Sequence, residues 1–291
     1  MSTSSPNFPA DAAGEPSLRR RLRTTLAELG MRPRKALGQH FLHDRTVVER
    51  ILTLAELTAD TLVVEIGPGL GVLTEELARR AGAVIAVELD RRLAAYLAER
   101  FRGTNVRVLQ ADALQVDYAA VTGNRPYVVV ANLPYNVATP ILERLLTSEH
   151  PPERLVVMVQ REVAERMVAR PPRMSFLSML VRFFSVPRIA FRVGPGAFTP
   201  PPKVESAVVV LERRAPPLPR DRWQEFFRLV QAGFAQRRKQ LVNALASELG
   251  MDKERVRELL DAAGIDPARR AETLTLDDWI RLYRTLSEGE Q

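Results

Sequence analysis

Leu62-Val-Val-Glu-Ile-Gly-Pro-Gly-Leu-Gly-Val-Leu-Thr74 joins a short, largely apolar run to a glycine-rich turn and then to the start of an amphipathic helix. A run that suits burial on both faces and ends in glycines before a helix is the pattern of a central strand in a parallel sheet. Its turn lies at the carboxyl edge, where doubly wound folds take their ligands. Outward from this stretch the alternation repeats. Strand-like runs recur at Ala83 to Glu88, Val106 to Leu109, Tyr127 to Ala131 and Leu155 to Val159, with helical stretches at Leu73 to Ala81, Arg91 to Phe101 and Pro140 to Leu146 between them. Arg188 to Val193 and Ser206 to Leu211 bring the strands to seven. The expected fold is α/β: a Rossmann-like, doubly wound, seven-stranded sheet with helices on both faces.

Before the sheet lies a basic arm. Leu18 to Lys35 carries Arg19, Arg20, Arg21, Arg23, Arg32, Arg34 and Lys35 against the single acid Glu28. Leu18, Leu22, Leu26 and Leu29 fall at helical spacing, with Ser17 as N-cap and Gly30 as stop. A second helix is expected from about Arg45 to Leu57. Arg213-Arg-Ala-Pro-Pro-Leu-Pro219 reads as a linker, because its prolines can continue neither a helix nor a central strand. Beyond it Trp223, Phe227, Val230, Phe234, Leu241, Leu245 and Leu249 trace one face of a single long helix, and helices near Lys253 to Ala263 and Leu276 to Leu286 complete a small all-α module. The expected division is a disordered tail over 1–17, a catalytic domain over 18–212, a linker over 213–219 and a helical domain over 220–291.

With 291 residues, 46% of them hydrophobic, the chain can bury a large core and a smaller one. The absence of cysteine excludes disulfides, thiolate zinc sites and a cysteine nucleophile. Three histidines and no suitably spaced carboxylate cluster leave no metal site to expect. A net charge of +7 favours a polyanionic partner without identifying it. No apolar stretch reaches ~18 residues, and residues 1–17 lack the basic start and apolar run of a signal peptide. A cytoplasmic protein without membrane contact is therefore expected.

The turn Gly67-Pro-Gly-Leu-Gly71 brings its third glycine one place earlier than the dinucleotide fingerprint, with Val72 where that glycine belongs, which argues against a pyrophosphate. Glu88 ends the second strand, 21 residues after Gly67, where a carboxylate can accept from both hydroxyls of a ribose. That points to an adenosine-containing ligand and leaves methyl donor and nicotinamide both open. Asp112 follows the third strand, placed for an adenine amine. Asn132-Leu-Pro-Tyr135 directly after the fourth strand answers a chemical problem: the lone pair of an adenine amine is delocalised into the ring. Acceptors for the amine hydrogens, the Asn132 carbonyl oxygen and a neighbouring backbone carbonyl, favour the pyramidal nitrogen and stabilise the charge that develops on it. Pro134 fixes the turn, and Tyr135 offers a face on which an extruded base can stack.

These segments, with Lys35-Ala-Leu-Gly-Gln-His-Phe-Leu42, Val87-Glu-Leu-Asp90, Ala197-Phe-Thr-Pro-Pro-Pro-Lys-Val-Glu-Ser206 and Phe234-Ala-Gln-Arg-Arg-Lys-Gln-Leu-Val-Asn-Ala-Leu245, resemble the ribosomal RNA adenine N6,N6-dimethyltransferase family from about Arg34 onward. The resemblance implies a methyltransferase sheet that uses S-adenosyl-L-methionine. His40, Leu42, Gly67, Gly69, Glu88, Asp112 and Asn132 would line the donor pocket. Asn132, Leu133, Pro134 and Tyr135 would hold the target adenine, with Phe198 stacked opposite Tyr135, although the residues alone read Phe198 as a rigidly held core aromatic. Arg34, Lys35, Arg237, Arg238 and Lys239 would touch RNA. The implied activity is dimethylation of two adjacent adenosines in a loop near the 3′ end of small-subunit (16S) ribosomal RNA, by a monomer acting on an assembling small subunit. Arg170 to Phe176 departs from the family, which usually carries a longer loop there with glycine and tyrosine.

Three other enzyme classes compete. The helical module with Gln236-Arg-Arg-Lys239 speaks against a resistance-type enzyme of large-subunit RNA, Leu133 against a DNA adenine methyltransferase, and Val72 against a nicotinamide oxidoreductase. A ribosome-assembly factor that only binds RNA would have no need of an intact donor pocket.

Overall fold

The computed structural model describes residues 17–34 and 38–288. Lys35 and the stretch 1–16 of the expected tail lie outside the described residues. In chain order the elements of the first half are α1 (Leu18–Glu28), β1 (Phe41–Leu42), α2 (Arg45–Ala55), β2 (Leu62–Ile66), α3 (Val72–Arg80), β3 (Ala83–Glu88), α4 (Arg91–Arg100), β4 (Val106–Gln110), α5 (Tyr118–Thr122), β5 (Tyr127–Asn132), α6 (Ala138–Thr147) and β6 (Arg154–Gln160). Then follow α7 (Arg161–Val168), α8 (Phe176–Phe184), β7 (Ser185–Val193), β8 (Phe198–Thr199), β9 (Ser206–Arg213), α9 (Trp223–Ala235), α10 (Leu241–Leu249), α11 (Lys253–Ala262) and α12 (Leu276–Glu288).

All seven expected strands form one sheet, in the order β4-β3-β2-β5-β6-β9-β7. The pairs from β4 to β6 are parallel, while β9 runs antiparallel to β6. Successive residues of a strand point to opposite faces, and Val63 and Val64 of β2 are both fully buried, so helices cover both sides. The order turns back between β2 and β5, which opens a crevice at the carboxyl ends of those strands.

Ser17 caps α1, its side chain accepting from Arg20 N, and Gly30 with φ of 57° ends the turn. Leu22 and Leu26 are buried with Met31, Phe41, Leu70 and Leu93, so the apolar stripe of the basic arm docks beside the glycine turn and α4. Burying each leucine contributes roughly 1.5–3 kcal/mol. Beside the main sheet β1 and β8 form a two-stranded antiparallel ribbon, with Phe41 opposite Thr199 and Leu42 opposite Phe198.

By contact the chain divides into one unit reaching Ala164 and resuming over Arg188–Glu212, and a second made of Glu165–Pro187 and the chain from Arg213. The division expected from the proline-rich linker places 165–187 in the domain over 18–212. The structure gives these residues to the helical unit because Phe183 and Phe184 of α8 pack on Trp223, Phe226 and Phe227 of α9, with ring centroids 4.8–6.1 Å apart. The single long helix expected over 223–249 is two helices, α9 and α10. Gln236 leaves helical geometry at φ −120° and ψ 72°, and Leu241 N is taken by Arg269 O at 2.7 Å. Gln236-Arg-Arg-Lys-Gln240 has no apolar side chain to bury and forms an exposed turn.

Candidate active site

The crevice between β2 and β5 is a cavity built from loops at the carboxyl ends of four parallel strands. Glu65, Gly67 and Gly69 contribute from β2, Glu88 and Leu89 from β3, Asp112 after β4 and Asn132 to Tyr135 after β5, while His40 to Leu42 close it from β1. The glycine turn is shaped by contact. Gly69 has φ of 61°, and a Cβ there would come within 2.9 Å of the Phe41 ring. Gly71, at φ 79°, would meet Leu97 Cδ2 at 2.8 Å. The third glycine therefore comes early because α4 packs against it.

Glu88 is buried, and both its oxygens are engaged: Oε2 accepts from Gly69 N at 3.1 Å and Oε1 from Asp90 N at 2.8 Å. Burial pushes its carboxyl up, while these backbone donors pull it down. Each oxygen keeps a second lone pair for a hydroxyl. Asp112 is exposed at the cavity's edge, its Oδ1 accepting from Leu114 N at 2.9 Å.

Asn132 is held at an unusual balance. Its Nδ2 donates to His40 O at 3.0 Å, which fixes the orientation of the carboxamide, since the carbonyl of His40 can only accept. The other atom, Oδ1, is buried and has no partner. Leu133 is buried, its N bonded to Met158 O at 3.0 Å, and Pro134 O accepts from Val137 N at 3.1 Å, so the turn is pinned on both sides. Tyr135 shares a 2.6 Å hydrogen bond between its Oη and Ser206 Oγ, and its ring stacks on that of His40 with centroids 5.4 Å apart. Burial raises its phenol. The His40 Nδ1 lies 2.8 Å from Pro200 O and must be its donor.

Two side chains here escaped the sequence reading. Glu65 is buried against the cavity with Oε2 unpartnered, and burial pushes its carboxyl up to about 8, with the neighbouring Thr74 side chain opposing this in part. Its signal was plain: it is the one charge in the run from Leu62 to Ile66. Ser206, fully buried at the start of β9, offered no such signal until its bond to Tyr135 was seen.

The structure does not bring every expected residue to the cavity. Phe198, expected to stack opposite Tyr135, is 2% exposed, sits in the core with Leu42, Val193 and Ala197 and does not line the cavity. Residues directly opposed in an antiparallel ribbon share a face, so the Leu42 pairing turns Phe198 inward. Leu42 itself both packs there and lines the cavity. Arg34 is exposed but ion-pairs with Asp90 at 3.7 Å, beside Glu88. Arg237, Arg238 and Lys239 are exposed in the turn between α9 and α10 of the second unit.

A glycine turn after β2 that faces an open acceptor after β5, in a sheet with a reversed β9, is the arrangement of the S-adenosylmethionine-dependent methyltransferases. Within that class the chain is a member of the family described as Ribosomal RNA adenine dimethylase, which matches residues 30–288. It is similar to the Ribosomal RNA small subunit methyltransferase A of Dehalococcoides mccartyi, 46% identical over 284 residues that cover 97% of this chain and 98% of that protein. Among solved structures it is similar to the 23S rRNA methyltransferase ErmE, 31% identical with a TM-score of 0.68 over 85% of this chain and 99% of that one. A dimethyladenosine transferase from Plasmodium falciparum shares the fold, with a TM-score of 0.74 at 23% identity over 86% of this chain and 98% of that one.

Proposed function

We propose that the protein dimethylates the N6 amines of two adjacent adenosines in a loop near the 3′ end of small-subunit (16S) ribosomal RNA, during assembly of that subunit. In this reading it acts in the cytoplasm as a monomer. The observation that carries the proposal is the buried, unpartnered Oδ1 of Asn132 at the mouth of the turn after β5. A buried acceptor without a partner costs about 1–3 kcal/mol, and an amine hydrogen of the target base is the missing donor. The 46% identity to a small-subunit enzyme exceeds the 31% to one of large-subunit RNA, which favours the small subunit as target. Among the described residues no helix is long and apolar enough to cross a membrane.

The cavity fits the methyl donor as well. Only hydrogen at Gly69 leaves room beside Phe41, and Glu88 has lone pairs left for two ribose hydroxyls. Bound there, S-adenosylmethionine would supply an electrophilic methyl on a sulfonium sulfur. Asn132 Oδ1 accepts from the target amine, which draws its lone pair out of the ring and stabilises the positive charge that builds on nitrogen. Tyr135, with its hydroxyl tied to Ser206 and its ring against His40, presents a fixed face to the base. The nitrogen loses a proton that becomes acidic only once the new N–C bond has formed, so no strong base is required. Transfer of radiolabelled methyl to small subunits lacking this modification tests the reading. Incorporation absent from small-subunit RNA, or confined to large-subunit RNA, would overturn it.

A further inference from the structure

On the first unit, cations gather where no acid answers them. Arg19, Arg20 and Arg23 of α1, and Arg32 just beyond it, are exposed and make no ion pair among the described residues. Their neighbours differ: Arg21 lies 3.7 Å from Glu75 and Arg34 3.7 Å from Asp90. Between Arg23 and Arg32 runs a groove of about 500 Å³ with Leu26 and Met31 beneath and Pro33 and Pro200 along it. Its floor is rigid, because Leu26 and Met31 are buried in the core and Met31 N bonds Leu26 O at 2.8 Å.

The far wall of this groove backs onto a wall of the catalytic cavity. Pro200 O accepts from His40 Nδ1, and Thr199 pairs with Phe41, and both His40 and Phe41 line the cavity. The β1–β8 ribbon separates the two spaces, with Thr199 and Pro200 on the groove and His40 and Phe41 on the cavity.

We propose that this groove is a nucleotide subsite for the RNA strand, holding the base that adjoins the adenosine in the cavity while Arg23 and Arg32 hold the flanking phosphates. This rests on the function proposed above and adds where the strand runs. The chemistry is that of single-stranded nucleic-acid sites, which set cations along the backbone beside apolar platforms for the bases. Unpaired guanidiniums with no competing carboxylate complement phosphates, and prolyl and aliphatic walls give contact to any base. Because the same short ribbon borders both spaces, a strand that crosses it sets neighbouring bases on either side, which a target of two neighbouring adenosines requires.

The test uses the full chain and an RNA oligonucleotide carrying the substrate loop. Its affinity is measured by fluorescence anisotropy across a salt series, with donor affinity measured by calorimetry. Arg23→Gln/Arg32→Gln should flatten the plot of log affinity against log salt by about 1.4, two contacts at roughly 0.7 each for a single strand. Donor affinity should stay as it is. Arg107→Gln/Arg125→Gln, which removes the same charge from exposed positions that do not line the groove, should leave the slope near that of the wild type. Ala27→Trp fills the groove without changing charge, and it should raise the KM for a trinucleotide while sparing that for free adenosine. Equal slopes for the groove and control variants, an unmoved trinucleotide KM with Ala27→Trp, or competition by polyglutamate as strong as by RNA would each overturn the subsite. Methyl transfer by the wild type in the same assay reports separately on the proposed function, since RNA affinity reads the groove whether or not transfer occurs.

Discussion

Replacing Asn132 with alanine separates the chemistry from the fold. The side chain makes one hydrogen bond, Nδ2 to His40 O at 3.0 Å, and leaves Oδ1 buried without a partner. Losing the bond costs about 0.5–1.5 kcal/mol, and removing the orphaned oxygen returns part of that, so stability should change little. Turnover should change greatly. Removing one positioned group that stabilises developing charge costs on the order of 2.7–4 kcal/mol, a hundredfold to thousandfold in kcat. Asn132→Asp is a stricter probe: it keeps an acceptor but places an oxygen opposite the His40 carbonyl, so the group loses its anchor, and the variant should be slow and less stable than the alanine. The assay is single-turnover methyl transfer with enzyme in excess, alongside donor calorimetry and thermal unfolding. An alanine variant that keeps half the wild-type kcat would refute the acceptor mechanism.

Glu88→Ala should chiefly weaken the donor, by a few kcal/mol at most for one or two ribose hydrogen bonds, and a donor Kd within twofold of wild type would remove Glu88 from the site. Neutralising Arg237, Arg238 and Lys239 together should lower the salt dependence of RNA binding by roughly 0.7–0.9 log units per lost phosphate contact, with donor affinity unmoved; parallel slopes would make that turn structural only. Glu65, with its carboxyl raised from 4.5 to about 8 by burial, binds a proton in the folded state that the unfolded chain has released between those values. Its contribution to stability is therefore full below about pH 4.5 and is lost as pH rises through 8, at up to ~1.4 kcal/mol per pH unit. Glu65→Gln should flatten that decline in denaturant titrations across pH, and an unchanged pH profile would show that the wild-type group ionises without cost.

What could be read without coordinates follows from which forces act locally. Strands β2, β3, β5, β6 and β9 were visible because burial on both faces demands unbroken apolar runs, and α1 because Ser17 and Gly30 satisfy its ends by themselves. The break at 236–240 was hidden: Phe234 and Leu241 stand seven residues apart, two helical turns, so the apolar phase runs on across a turn that only the Arg269 carbonyl reveals. The β1–β8 ribbon, two residues on each side, is too short to leave a pattern, yet it turns Phe198 into the core and sets Phe41 against Gly69. At the site the chemistry of Asn132 was legible as an acceptor. Which of its atoms stays open was not, because that depends on the carbonyl of His40, 92 positions away. Charge was the least informative signal. Seven cations between Leu18 and Lys35 read as one basic arm, but pairing is settled by what folds opposite each of them: Glu75 engages Arg21 and Asp90 engages Arg34, and no described acid reaches Arg23 or Arg32. A phosphate arriving there meets a guanidinium with nothing to displace, whereas at Arg34 it must compete with a buried carboxylate, so RNA contacts should be sought first at Arg23 and Arg32.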